Sequence, residues 1–148
     1  MSTYRKILVA VDLSEEAEQV LQTAADIAEA NQAELFVLHV ADNPVSPYSQ
    51  FPEFSAPVSA AEIKESIFAQ LARTVENVGL SRELITIDLG RSIDAIVERS
   101  DEHQCDLIVI GSHGRHGIQL LLGSTANGVL HHANCDVLAV RVRETIEQ

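Results

Sequence analysis

Residues 110 to 126 read Ile-Gly-Ser-His-Gly-Arg-His-Gly-Ile-Gln-Leu-Leu-Leu-Gly-Ser-Thr-Ala. Gly111, Gly114 and Gly117 follow directly on the apolar run Leu107 to Ile110, and Gly123 precedes two hydroxyl residues, Ser124 and Thr125, at the head of a helix-like segment. The chemistry suited to this order of strand, glycine-rich loop and helix start is anion binding. Glycines let the backbone approach a ligand closely, and free N–H groups at a helix start favour negative charge. In that reading His113 is a phosphate or loop contact, Arg115 and Arg91 are cations within reach of phosphates, and the hydroxyls of Ser124 and Thr125 bond a phosphate oxygen or a metal-bound water. In the alternative the glycines only make a tight connection, Ser124 is an ordinary N-cap, and both arginines are solvated surface charges. Local sequence leaves both open.

Asp12 is the second residue singled out. It ends an apolar run, Arg5 to Val11, where a carboxylate can bond a ribose hydroxyl, help hold a metal or cap the next helix. Other chemistries lack their patterns. There is no GxSxG nucleophile elbow and no GxxxxGK[ST] phosphate loop. The first strand-to-helix turn lacks GxGxxG. His113, His116, His131 and His132 with Cys105 and Cys135 match no familiar zinc spacing; His131 and His132, near a helix C-terminus, suit the dipole there. No catalytic or metal-binding residue is therefore assigned.

These residues need a scaffold, and hydrophobic periodicity supplies one. Arg5 to Val11 reads as a strand buried on both faces. Ala17, Val20, Leu21, Ala24, Ile27 and Ala28 recur at helical spacing, with Asp12 or Ser14 as the expected cap. Ala33 to Ala41 is a second strand. Asp42 to Ser59 holds all four prolines and exceeds the ~12–15 residues of usual connections, as lids and binding loops do. Ser59 to Glu62 forms a capping box for a helix carrying Ile63, Ile67, Leu71, Val75 and Val78. Leu84 to Leu89 alternates, as an edge strand does. Gly90-Arg91-Ser92 turns into a helix with Ile93, Ile96 and Val97. After the strand Leu107 to Ile110, Gly123 to Ala133 reads as a helix with Ala126, Val129 and Leu130 inward, and Val137 to Val142 is the last strand. Alternating strands and helices imply a parallel sheet with helices on both faces. Ligands bind outside the carboxyl ends of such strands, where Asp12, Val40, Gly90 and Gly111 all fall.

The 148 residues suit one domain, 1–148. A formal net charge of −12 argues against a nucleic-acid surface. There is no signal-like opening and no run near the ~20 apolar residues of a membrane span. With only two cysteines, a soluble cytoplasmic protein is expected, with neither nucleic acid nor membrane as partner.

Three further stretches carry a family resemblance. Lys6 to Ser14 (KILVAVDLS), Leu38-His39-Val40, and Asp106 to Gly114 with Leu122-Gly123-Ser124 and Cys135 to Val140 together resemble the universal stress protein family over essentially the whole chain. The resemblance implies a five-stranded parallel α/β sheet of order 3-2-1-4-5, of the adenine nucleotide alpha-hydrolase-like type, and a homodimer through Val137 to Val142. The nucleotide-binding loop of that family runs Gly, two residues, Gly, nine residues, Gly, then Ser or Thr. Gly111, Gly114, Gly123 and Ser124 match, with eight residues, not nine, in the second gap. Carried over position by position, Asp12 contacts ribose or adenine with Ala10 and Val11 beside it, and Val40 lines the adenine pocket. Ile110, Gly111, His113, Gly114, Gly123, Ser124 and Thr125 surround ribose and phosphates. The implied ligand is ATP, or AMP or ADP, with magnesium as the candidate cation, and the implied role is regulatory, in stress tolerance. The alternatives are a dimeric interaction protein without nucleotide and a slow ATPase or autophosphorylating protein; no arginine-finger arrangement supports fast phosphoryl transfer.

Overall fold

The computed structural model describes residues 3–41, 59–112 and 123–142. The elements follow in the order β1 (Lys6–Ala10), α1 (Ala17–Asn31), β2 (Glu34–Ala41), α2 (Ala60–Asn77), a 3-10 turn (Arg82–Leu84), β3 (Ile85–Leu89), α3 (Ser92–Glu102), β4 (Leu107–Gly111), α4 (Ser124–His132) and β5 (Asp136–Val140). The five strands are all parallel and lie in the order β3-β2-β1-β4-β5.

Alternation along the central strands explains the layers. Ile7, Val9 and Val11, with Leu107 and Val109, face α1 and α2, where Val20, Leu21, Ala24, Leu71 and Val75 complete one buried cluster. Leu8 and Ala10, with Ile108 and Ile110, face the other way into a second cluster with Ile96 of α3 and Ala126 and Val129 of α4. A strand covered on both faces must be apolar at every position, and this is why β1 and β4 read as continuous hydrophobic runs. β3 lies at one edge of the sheet; only Ile87 of its five residues is buried, in keeping with its alternation.

Ser59 caps α2 as read, its Oγ accepting from the Glu62 amide at 3.1 Å, which is one of the two bonds of a capping box. Four details differ from expectation. Neither Asp12 nor Ser14 caps α1. The N-cap is Glu16, without a side-chain cap bond, because a turn spends Ser14 to Glu16 before the helix begins and Asp12 bonds locally instead. The last strand runs from Asp136 to Val140, not Val137 to Val142. Leu130 points outward and is 53% exposed: it belongs to the flank of α4 that overhangs β5, beyond which no described element covers the sheet. The 3-10 turn was unannounced by periodicity; Ser81 Oγ caps it by accepting from the Glu83 amide at 3.2 Å.

Candidate functional site

α1 leads from β1 to β2 on one side, and α4 leads from β4 to β5 on the other. Strand order therefore reverses between β1 and β4, and it is past the carboxyl ends of strands at such a point that open α/β sheets take ligands. β1 and β4 pair in register from Ile7↔Leu107 to Ala10↔Ile110. Ala10 and Ile110 thus end side by side, both buried, followed by buried Val11 and half-buried Gly111. Val40 is half-buried one strand over, near the end of β2.

Asp12 leaves the sheet at this end, two residues past β1, and is exposed. Its Oδ1 accepts from the Ser14 amide at 3.0 Å and from the Ser14 hydroxyl, an Asx-type turn in which a short carboxylate satisfies backbone two residues on. Oδ2 takes part in no hydrogen bond among the described residues. Behind Asp12, the Val11 amide donates to the Leu38 carbonyl at 2.9 Å, and Nδ1 of the buried His39 lies 2.7 Å from the Val11 carbonyl oxygen. A carbonyl only accepts, so Nδ1 carries the proton.

On the β4 side, Ser112 continues the ladder: its amide donates to the Val140 carbonyl at 2.8 Å, and its own carbonyl accepts from the Gly123 amide. Gly123 thereby stands at the end of β4. It is the N-cap of α4 and makes no side-chain cap bond, and the first turn of that helix holds no acidic residue. Ser124 is exposed and Thr125 half-buried. The helix start thus presents amide groups and the positive end of its dipole without a carboxylate to neutralise them. His113, Gly114 and Arg115 lie outside the described residues. Of the assigned residues, Ala10, Val11, Asp12, Val40, Ile110, Gly111, Gly123, Ser124 and Thr125 all stand at the carboxyl ends of the strands or at the start of α4. Arg91 is a surface residue whose side chain is 86% exposed beside Asp94.

Two groups lie elsewhere. Cys105 and Cys135 precede β4 and β5, at the opposite ends of the strands, and both are free thiols. Burial, reinforced by the neighbouring Cys135, pushes the Cys105 thiol up to about 12, and burial also raises Cys135. Neither is a thiolate nucleophile near neutral pH. Arg99 of α3 holds Asp88 of β3 with two hydrogen bonds, Nε to Oδ2 at 2.7 Å and Nη2 to Oδ1 at 2.6 Å. His39 and this ion pair went unread in sequence. The signal for His39 was its place inside an apolar strand, where a polar side chain must find a partner.

The architecture defines an open, parallel α/β protein with its topological switch point between β1 and β4. The sequence matches the universal stress protein family over residues 3–141. Universal stress protein A homolog 1 of Coxiella burnetii is 36% identical, over 95% of this chain and 99% of that protein. A universal stress protein crystallised in complex with cAMP superposes with a TM-score of 0.63 at 27% identity, covering 94% of this chain and 98% of its own. The universal stress protein of Archaeoglobus fulgidus in complex with dAMP gives 0.59 at 26% identity, covering 93% and 98%. The chain belongs to the universal stress protein family and has its adenine nucleotide alpha-hydrolase-like fold.

Proposed function

We propose that this protein binds an adenine nucleotide across the carboxyl ends of β1 and β4 and acts as a regulatory stress-tolerance protein of the cytoplasm. The observation that carries the reading is an exposed carboxylate just past β1 and an uncapped helix start tied to the end of the adjacent β4, in a fold whose relatives have structures in complex with cAMP and dAMP. Asp12 faces the ribose and Val40 the adenine. Amides of Ser124 and Thr125, with Gly111, His113, Gly114, Arg115 and Gly123, surround the phosphates. The triphosphate is the preferred ligand, with magnesium offsetting the charge it brings to a chain already at −12.

Titration calorimetry of the purified protein with ATP, ADP, AMP and cAMP, each with and without magnesium, tests this. Saturable heat with at least one of them is expected. It should be lost in Gly114→Asp, which places a carboxylate where phosphate charge would sit. Absence of heat and of any thermal shift at millimolar nucleotide refutes the reading. A homodimer through β5 belongs to the same proposal. β5 closes the sheet on that side, none of its five residues is buried, and Leu138 is 37% exposed. Such an edge is a template for pairing, and light scattering at micromolar concentration measures the mass directly.

A further inference from the structure

β1 ends at Ala10, yet the next residue is still fixed to β2 through both of its backbone groups. The Val11 amide donates to Leu38 at 2.9 Å, and the Val11 carbonyl accepts from the His39 imidazole at 2.7 Å. The second bond comes from a side chain, not from the sheet ladder. His39 is 9% exposed, so its bond is screened little by water and the carbonyl has no easy alternative donor. A carbonyl held in one direction fixes the plane of the Val11–Asp12 peptide. That plane sets where Asp12 leaves the sheet. Oδ1 of Asp12 is already engaged by Ser14, so the carboxylate is steadied from behind by the imidazole and from in front by the turn.

We infer that His39 is a positioning residue: its Nδ1–H aims Asp12 into the nucleotide crevice by holding the Val11 carbonyl. The inference rests on the nucleotide-binding reading above and adds to it a residue that touches no ligand. Three substitutions separate the donor from mere packing. His39→Asn keeps an N–H close to the position of Nδ1. His39→Gln carries the amide one bond too far. His39→Leu fills similar space without a donor.

Calorimetry with the best-binding nucleotide compares these with the wild type, with Asp12→Ala, and with the double variant His39→Leu/Asp12→Ala. Circular dichroism and unliganded melting report on the fold. Expected are a loss of about tenfold or more in affinity for His39→Leu, in which Asp12 must be ordered on binding and not before it, and near wild-type affinity for His39→Asn. In the Asp12→Ala background His39→Leu should cost no further affinity, since the group it aims is gone. A merely structural histidine would lower melting but leave the two losses additive. Should His39→Leu fail to fold, His39→Asn binding more tightly than His39→Gln is the expected result. Wild-type affinity in His39→Leu, equal affinities for the Asn and Gln variants, or full additivity with Asp12→Ala overturns the positioning role alone. A wild-type protein that binds no nucleotide overturns both this role and the function on which it rests.

Discussion

Removing Arg99 should loosen the outer strand β3, and the size of the effect follows from the geometry. Two short parallel hydrogen bonds join the guanidinium to the Asp88 carboxylate, the fork arrangement that makes such pairs both strong and directional. The Asp88 side chain is 16% exposed and that of Arg99 33%. Truncating one member of a fully buried pair costs about 3–5 kcal/mol, and an exposed pair is worth about 0–1 kcal/mol. Partial burial puts Arg99→Met at roughly 1.5–3 kcal/mol, because Asp88 then keeps a largely buried charge without its partner. At roughly 2–4 °C per kcal/mol for a chain near this size, melting should fall by about 3–12 °C. The pH dependence has a definite sign. The hydrogen bond from Arg99, against the opposing effect of burial, holds the Asp88 carboxyl below its ordinary 3.8. Such a group contributes its full stabilisation above the ordinary value and loses it as pH falls through the lowered one. The gap between wild type and Arg99→Met should therefore be full at pH 7 and shrink below pH ~3.8. Urea unfolding at fixed protein concentration, on wild type, Arg99→Met, Asp88→Asn and the double variant, supplies the cycle. A coupling energy of about 1–2 kcal/mol is expected. A value under ~0.3 kcal/mol, or a gap that does not change with acid, would refute the reasoning.

Two other predictions concern packing and reactivity. A Cβ on Gly128 would stand 2.8 Å from Cγ1 of Ile93 and closer still to Cδ1, so Gly128→Ala should gain about 1 kcal/mol of helix propensity and lose about 1–3 kcal/mol to overpacking. The net destabilisation, near 1 kcal/mol by urea titration, should disappear when Ile93→Ala is added; a stabilised single variant would show that α3 and α4 have room to part. With its thiol pushed up to about 12, Cys105 is thiolate in only about one molecule in ten thousand at pH 8, so iodoacetamide should leave it unmodified in native protein and alkylate it in urea. Rapid native labelling at Cys105, read by peptide mass spectrometry, would contradict this burial.

Much of the architecture was legible because local and global signals agree here. Continuous β-branched runs at β1 and β4 announce strands covered on both faces, and the 3.6-residue spacing of Val20, Leu21 and Ala24 gives α1 its inward stripe. Periodicity assigns a face, however, not the extent of the sheet beneath it. Leu130 sits where the helical pattern puts a core residue, yet the sheet ends under it. The candidate site was read from the carboxyl ends of the strands, which topology alone supplies. What holds it was not readable. The His39–Val11 bond depends on β1–β2 register across 28 positions, and Asp88 meets Arg99 only after β3 and α3 have folded back on each other. Asp12 was read as a ligand or a helix cap, and its own turn with Ser14 went unconsidered; a carboxylate two residues before a serine was the available clue.

The bond between the Ser112 carbonyl and the Gly123 amide has an evolutionary reading. It staples together the two residues that bracket positions 113–122, so the helix start is referenced to β4 directly and not through the intervening chain. Closing a loop of ten residues instead of eleven changes its entropy by only ~0.1 kcal/mol. The eight-residue gap between Gly114 and Gly123, against nine in the resembled pattern, therefore carries almost no closure cost of its own. Ser112 and Gly123 are held to each other directly, whatever length of chain runs between them. A change in the length of that stretch can thus be absorbed with β4 and the start of α4 still tied together.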